Sequence, residues 1–181
     1  MLIVAAQLRP SAPVSERRPA IARGALAIAS AACLPLAVAA CAADPTPMDP
    51  SSLEEYDAVV DDVVGALDAA GITEPGTAEH SDRGAQYEDD RCRIFARDTD
   101  AATVQAQPPA EDVIAAAAPV LEEHGFGAPE QAEVAGGHLR VAATDEQGAE
   151  IDLIWKASSI DVTIQGVADL AESECTDEAV Q

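Results

Sequence analysis

Three histidines, four cysteines and several paired carboxylates are the residues of this 181-residue chain that could perform chemistry. His80, His124 and His138 stand alone, with no second His or Cys at a metal-pair spacing such as H-E-x-x-H or C-x-x-C. His124 precedes Gly125, where a histidine is expected to satisfy the last carbonyls of a helix. His138 falls on the polar side of an alternating stretch. The acidic clusters are Asp61-Asp62, Glu88-Asp89-Asp90, Asp98-x-Asp100 and Glu122-Glu123. None has the Asp/Asn spacing around a central glycine that marks a calcium loop. Paired carboxylates could cleave glycosides. A sugar cleft, however, needs aromatic platforms, and Tyr56, Tyr87, Phe95, Phe126 and Trp155 are all expected in the core. The clusters therefore read as a solvated acidic surface. The sequence has no G-x-S-x-G elbow and no phosphate-cradling glycine loop; Gly136-Gly137 reads as a turn before a strand. Arg91, Arg93 and Arg97 form a basic cluster expected to pair with nearby acids, with a docking patch for an acidic ligand as the alternative. No catalytic residue, metal or cofactor is assigned.

Charge separates the chain into two parts. Before Cys41 the charged residues are Arg9, Glu16, Arg17, Arg18 and Arg23; from Cys41 onward six basic residues face 32 acidic ones. A net charge of −23 excludes binding to nucleic acid by phosphate neutralisation. It also excludes electrostatic attraction to anionic headgroups. Between Arg23 and Cys41 runs GALAIASAACLPLAVAA, uncharged, alanine-rich and broken by Pro35. A basic segment, an apolar run and small residues at its end are the parts of an export signal. The run is too short and too weakly apolar for a membrane span.

The run ends in Val38-Ala39-Ala40-Cys41, which resembles the lipobox of bacterial lipoproteins: an aliphatic residue, two small residues, then cysteine. The resemblance implies removal of residues 1–40, lipidation of Cys41, and attachment to the outer face of the cell membrane. Buried acyl CH₂ groups contribute about 0.8 kcal/mol each, so two chains hold durably where one does not. The alternative is an ordinary secretory peptide with an incidental cysteine. Cys33 follows Ser30-Ala31-Ala32 and makes a poorer lipobox. Arg17-Arg18 fits a twin-arginine signal loosely, so the export route stays open. The long stretch before Arg17 would also fit a start further in, for instance at Val14. On this leader the chain resembles the small actinobacterial lipoproteins of undefined role.

Two cysteines then remain, Cys92 and Cys175. In an exported protein an even count suggests a bridge, and two residues allow one pairing. Two free thiols are the alternative. Bridging closes a loop of 83 residues, and in the chain-entropy account this contributes roughly 4–5 kcal/mol.

The elements that would carry these groups are legible in outline. Residues 41–50, ending in DPTPMDP, read as a lipidated cysteine and a Pro-rich tether standing the domain some 20–30 Å off the bilayer. Residues 51–181 read as one domain. A helix is expected from Ser51, with Ser51-x-x-Glu54 and Ser52-x-x-Glu55 as capping boxes. Tyr56, Val59, Val60, Val63, Val64 and Leu67 form its apolar stripe, with Asp57, Asp61, Asp62 and Asp68 largely on other faces. Gly71 is expected to end it. A second helix spans about Ala110 to His124, buries Val113, Ile114, Ala117, Val120 and Leu121, and is kinked or shortened by Pro119. Arg91 to Arg97 reads as a strand, with a weaker one among Thr77 to Tyr87. His138–Thr144, Glu150–Lys156 and Ile160–Gln165 alternate with period two and turn at Asp145–Gly148 and Ser158-Ser159. The fold class is α+β in the order α-β-α-β-β-β. It consists of an antiparallel sheet, a C-terminal three-stranded meander plus one or two strands, with two helices on one face and water on the other.

These readings imply a non-enzymatic, membrane-anchored module that meets an envelope protein or ligand. The rivals are a carrier with an apolar pocket between sheet and helices, and an envelope hydrolase using paired carboxylates.

Overall fold

The computed structural model describes residues 46–104, 106–132 and 138–181. The expected signal segment 1–40, Cys41 and Gly136-Gly137 lie outside the described residues.

Helix α1 spans Leu53–Ala69 and follows a 3-10 turn at Pro50–Ser52. Neither capping box forms. Asp49 caps the turn instead, its carboxylate accepting the Ser51 N–H at 2.9 Å. Ser52 makes no side-chain cap because its own backbone is already helical. Gly71, at φ +70°, ends the helix, and the Ile72 N–H reaches back to the Leu67 carbonyl at 3.0 Å. A left-handed residue here satisfies carbonyls the helix would leave open. Helix α2 spans Ala110–Glu123, continues through Pro119, and stops at Gly125, φ +82°.

Among the described residues the sheet has eight strands, all antiparallel: β1 Glu79–His80, β2 Gly84–Glu88, β3 Arg91–Phe95, β4 Thr99–Ala102, β5 Glu130–Ala132, β6 Arg140–Thr144, β7 Glu150–Lys156 and β8 Ser159–Ala168. Its main path runs β1-β4-β8-β7-β6-β5, with β3 also on β8 and β2 on β3. β8 is long enough to pair β4 along its first half and β3 along its second. β1 and β2 keep one register against β4 and β3 (His80↔Thr99, Gly84↔Phe95), so they form a single interrupted strand. Opposite, four steps from Phe95 to Thr99 face three from Gln165 to Val162. The surplus residue is a β-bulge at 96–98, of the kind that bends a strand and re-aims its side chains.

Both helices cover one face. Leu53, Val60, Val63 and Leu67 of α1 and Val113, Ala117 and Leu121 of α2 meet Ile151, Leu153, Ile160, Val162 and Ile164, all 1% exposed or less. Each such side chain contributes about 1.5–3 kcal/mol by leaving water. The α+β class with helices on one face is as expected, and the meander appears as β6–β7–β8.

Several particulars differ. The sheet is larger than expected, because β1, β2, β4 and β5 are short and polar and are held by partners rather than by their own pattern. Ile114 and Val120 are only half buried. Tyr87 is 36% exposed and Phe95 half buried, so neither joins Tyr56, Phe126 and Trp155 in the core. Residues 46–50 are not all spacer. Met48 is 1% exposed, and its N–H donates to the Val167 carbonyl at 2.7 Å. The thioether occupies space at Gly166, where an added Cβ would stand 2.7 Å from Met48 Cε. The packed domain therefore begins before Ser51.

Candidate functional site

Cys92 lies fully buried in β3, and Cys175 lies in the chain after β8. Their Cα atoms are 5.6 Å apart and their sulfurs sit at disulfide distance, 2.08 Å. The bridge is one of four fastenings of the C-terminal segment. Asp177 accepts the Ala85 N–H at 3.0 Å, Val180 is 2% exposed, and the Gln181 amide donates to the Arg83 carbonyl at 3.3 Å. The segment thus lies along β2 as a strap, covering part of a sheet edge whose outward N–H groups could otherwise template another strand.

The interruption of β1/β2 and the bulge of β3/β4 meet at Asp57. This carboxylate, on α1 and 5% exposed, accepts the Arg97 backbone N–H at 2.8 Å and Arg83 Nε at 2.9 Å. Arg83 Nη2 approaches at 2.7 Å and Arg97 Nη2 at 3.6 Å. Asp57 thereby replaces the sheet ladder where both strands break, which is why a carboxylate can be buried among apolar residues. Its position was expected on a polar face; it lies on the buried stripe with Leu53, Val60 and Val64. Above it, a cleft of about 360 Å³ is lined by His80, Ser81, Asp82, Arg83, Arg97 and Gln181 with Asp57. Its two guanidinium groups already serve Asp57, so the cleft is a structural joint before it is a ligand site.

The uncovered face of the sheet carries a second charged array. Arg140 donates to both Asp152 oxygens, at 2.7 and 3.0 Å, and to Glu150 at 2.7 Å. These contacts hold the guanidinium above its ordinary range, with the Asp152 hydrogen bond as the main cause. Lys156 binds Asp161, with Asp98 and Asp100 close enough to raise its pKa further. Burial pushes the carboxyl groups of Asp98 and Asp100 upward, and Asp161 adds to both shifts. Thr163 hydrogen-bonds Asp98 and opposes its shift. Asp152 and Asp161 are only 6% and 7% exposed, so this face is less wet than alternation implied. Among the described residues, no group of three or more His, Cys, Asp or Glu is arranged to hold a metal ion.

The histidines are drawn into the frame. His80 Nδ1 lies 2.9 Å from the Thr99 hydroxyl and 3.8 Å from Asp61; His124 Nε2 lies 2.9 Å from Asp62. His124 joins α2 to α1 through its ring, while its backbone N–H serves the helix end by donating to the Val120 carbonyl at 3.1 Å. His138 is exposed, just ahead of β6. Of the arginine cluster, Arg97 turns to Asp57, while Arg91 and Arg93 are exposed. The structure therefore brings together Cys92 with Cys175, and separates the histidines and acidic pairs. Arg83 and Asp57 form a tight node that residue type alone did not suggest.

An open groove of about 710 Å³ lies between the end of α1 and the start of α2, lined by Ile72, Pro108, Pro109 and Ala116 among others. Val104, 47% exposed, lies close by in sequence. Smaller cavities lie beside the β2–β3 tip, lined by Asp90, Arg91 and Leu170 among others, and along the end of β8, lined by Gly148, Gln165 and Gly166 among others. Among the described residues no helix is long and apolar enough to cross a membrane.

No protein-family model matches the sequence, and no curated protein matches it either. Among solved structures, the chain is similar to a DUF4853 family protein from Actinomyces odontolyticus, at 13% identity over 73% of each chain with a TM-score of 0.44.

Proposed function

We propose that this chain is a non-enzymatic envelope lipoprotein, lipidated at Cys41 on the outer side of the cell membrane, whose domain offers a surface to a protein partner. The observation that carries the reading is Val38-Ala39-Ala40-Cys41 closing an uncharged run, followed within seven residues by the first buried side chain among the described residues, Met48. That arrangement leaves a short polar link between an acyl-bearing thiol and a folded domain. The Cys92–Cys175 pairing fits an oxidising exterior. The close burial of the facing side chains of α1, α2, β7 and β8, each 1% exposed or less, supports a contact surface over a carrier, whose ligand would need an enclosed cavity of several hundred Å³. The dispersed histidines and ion-paired carboxylates favour it over a hydrolase.

The test is the intact mass of the protein recovered from the membrane fraction of an expressing bacterium. A chain beginning at Cys41 with a diacylglyceryl adduct is expected. Cys41→Ala should lose the adduct and accumulate uncleaved or leave the membrane. A membrane-free, unmodified product from the unaltered gene would overturn the reading.

A further inference from the structure

We propose that the anchored domain meets the lipid surface with one defined pole, formed by the β6–β7 turn, the end of β8 and the β2–β3 tip, and holds the groove between α1 and α2 outermost. The inference rests on lipidation of Cys41. Its basis is where the chain is fixed. The Met48 N–H is bound to Val167, and the Met48 side chain fills the space at Gly166. Thr46 passes over Gly148, its carbonyl oxygen 2.8 Å from where a Cβ would sit. Thr46, the described residue nearest the anchor in sequence, therefore lies at the end of β8 beside the β6–β7 turn.

Lengths decide the rest. From Cys41 to Thr46 the chain spans at most about 17 Å at ~3.4 Å per residue. Helix α1 has 17 residues and starts from this same pole; at 1.5 Å per residue it runs about 25 Å to the groove. Tyr56 near its start donates to Asp145 of the β6–β7 turn at 2.6 Å, while Ala70, Gly71 and Ile72 at its end line the groove. The tether is shorter than the helix, so it cannot run the length of the domain and let the groove end face the bilayer. Exposed Asp89, Asp90 and Glu146 at the near pole repel anionic headgroups. At physiological salt that repulsion extends roughly a Debye length, about 8 Å. It tends to lift the domain off the surface rather than lay it flat.

The test uses the full lipoprotein, its adduct verified by mass, reconstituted into phosphatidylcholine–phosphatidylglycerol vesicles carrying acceptor-labelled headgroups. A donor is placed at Gln147 or at Ser158, at opposite ends of β7, through an azido amino acid that spares Cys92 and Cys175. Energy transfer from position 147 should exceed that from 158 at least about twofold, given the ~20 Å between them at ~3.4 Å per residue. Donors at Asp90 and Pro75 repeat the comparison at independent positions. Equal transfer from the two ends, or greater transfer from 158, with the adduct intact, overturns the orientation and leaves the lipoprotein reading standing. Absence of the adduct overturns both.

Discussion

Asp98 and Asp100 are the residues whose environment works against them. Both carboxyl groups titrate above their ordinary range, chiefly through burial and with Asp161 adding charge repulsion, and one Asp98 oxygen is buried without a hydrogen-bond partner. A folded-state pKa above the unfolded value means the native protein binds more protons in that window, so stability falls as pH rises through it. Asp98→Asn should therefore raise the melting temperature at pH 7, and its advantage should shrink as pH falls through the raised folded-state pKa, where the wild-type carboxyl takes up its proton. Melting curves of both proteins across that range check the sign; a gain that is constant with pH would show that titration is not the cause. Other residues show what residue type hides. Asp57 shares its spacing with Leu53, Val60 and Val64, four, three and seven residues away, and the period alone places it on the buried stripe. It reads as a surface acid only if its charge is weighed before its position. What no local pattern could supply is Arg83, 26 residues on, which makes that burial tolerable. The bridge was legible because elimination needs only composition and compartment: two cysteines remain beyond Cys41, and they are the pair at disulfide distance.

At the scale of elements, long periodic segments were legible and short ones were not. The α1 stripe and the alternation of β7 and β8 reach the core as written, because each buries enough side chains to determine its own place. β4, with the sequence TDAA, and β5, with EQA, carry no such pattern; backbone pairing to β8 and β6 defines them. The strap after β8 was hidden for a related reason, since its partners Arg83, Ala85 and Cys92 lie in β3 and in and beside β2, far back along the chain. The clearest case is Met48 on Gly166, where two elements more than a hundred residues apart share one volume. Adding a methyl group to a filled site costs about 1–3 kcal/mol. Gly166→Ala alone should lose that much, because its Cβ would stand 2.7 Å from Met48 Cε. Met48→Ala alone should lose about 2–5 kcal/mol as a core truncation. The two together should lose less than the sum of the singles, since the shortened residue 48 vacates the space the new methyl needs. Urea denaturation of the four proteins measures the coupling, and strict additivity would mean that Met48 does not pack on β8 in solution.

The whole domain carries an imbalance that its ion pairs do not remove. Of the six basic residues from Cys41 onward, Arg83, Arg97, Arg140 and Lys156 are already engaged with Asp57, Asp152, Glu150 and Asp161. Most of the remaining carboxylates repel one another across the surface, and such self-repulsion disfavours the compact state. Salt acts on the two terms in opposite directions. Screening weakens the favourable pairs, yet these are partly buried, and buried pairs are screened much less than exposed charges. It weakens the long-range repulsion more, because the Debye length falls from about 30 Å at 0.01 M to about 8 Å at 0.15 M. Repulsion relieved should therefore exceed attraction lost, and the melting temperature should rise over that interval. Each kcal/mol recovered reads as about 2–4 °C for a domain near this size. Sodium chloride and a salt of another monovalent cation should act alike, which separates screening from specific ion binding. A melting temperature that falls with salt would mean instead that Arg83–Asp57 and the array on the open sheet face, and not the surplus of acid, dominate the electrostatics of the fold.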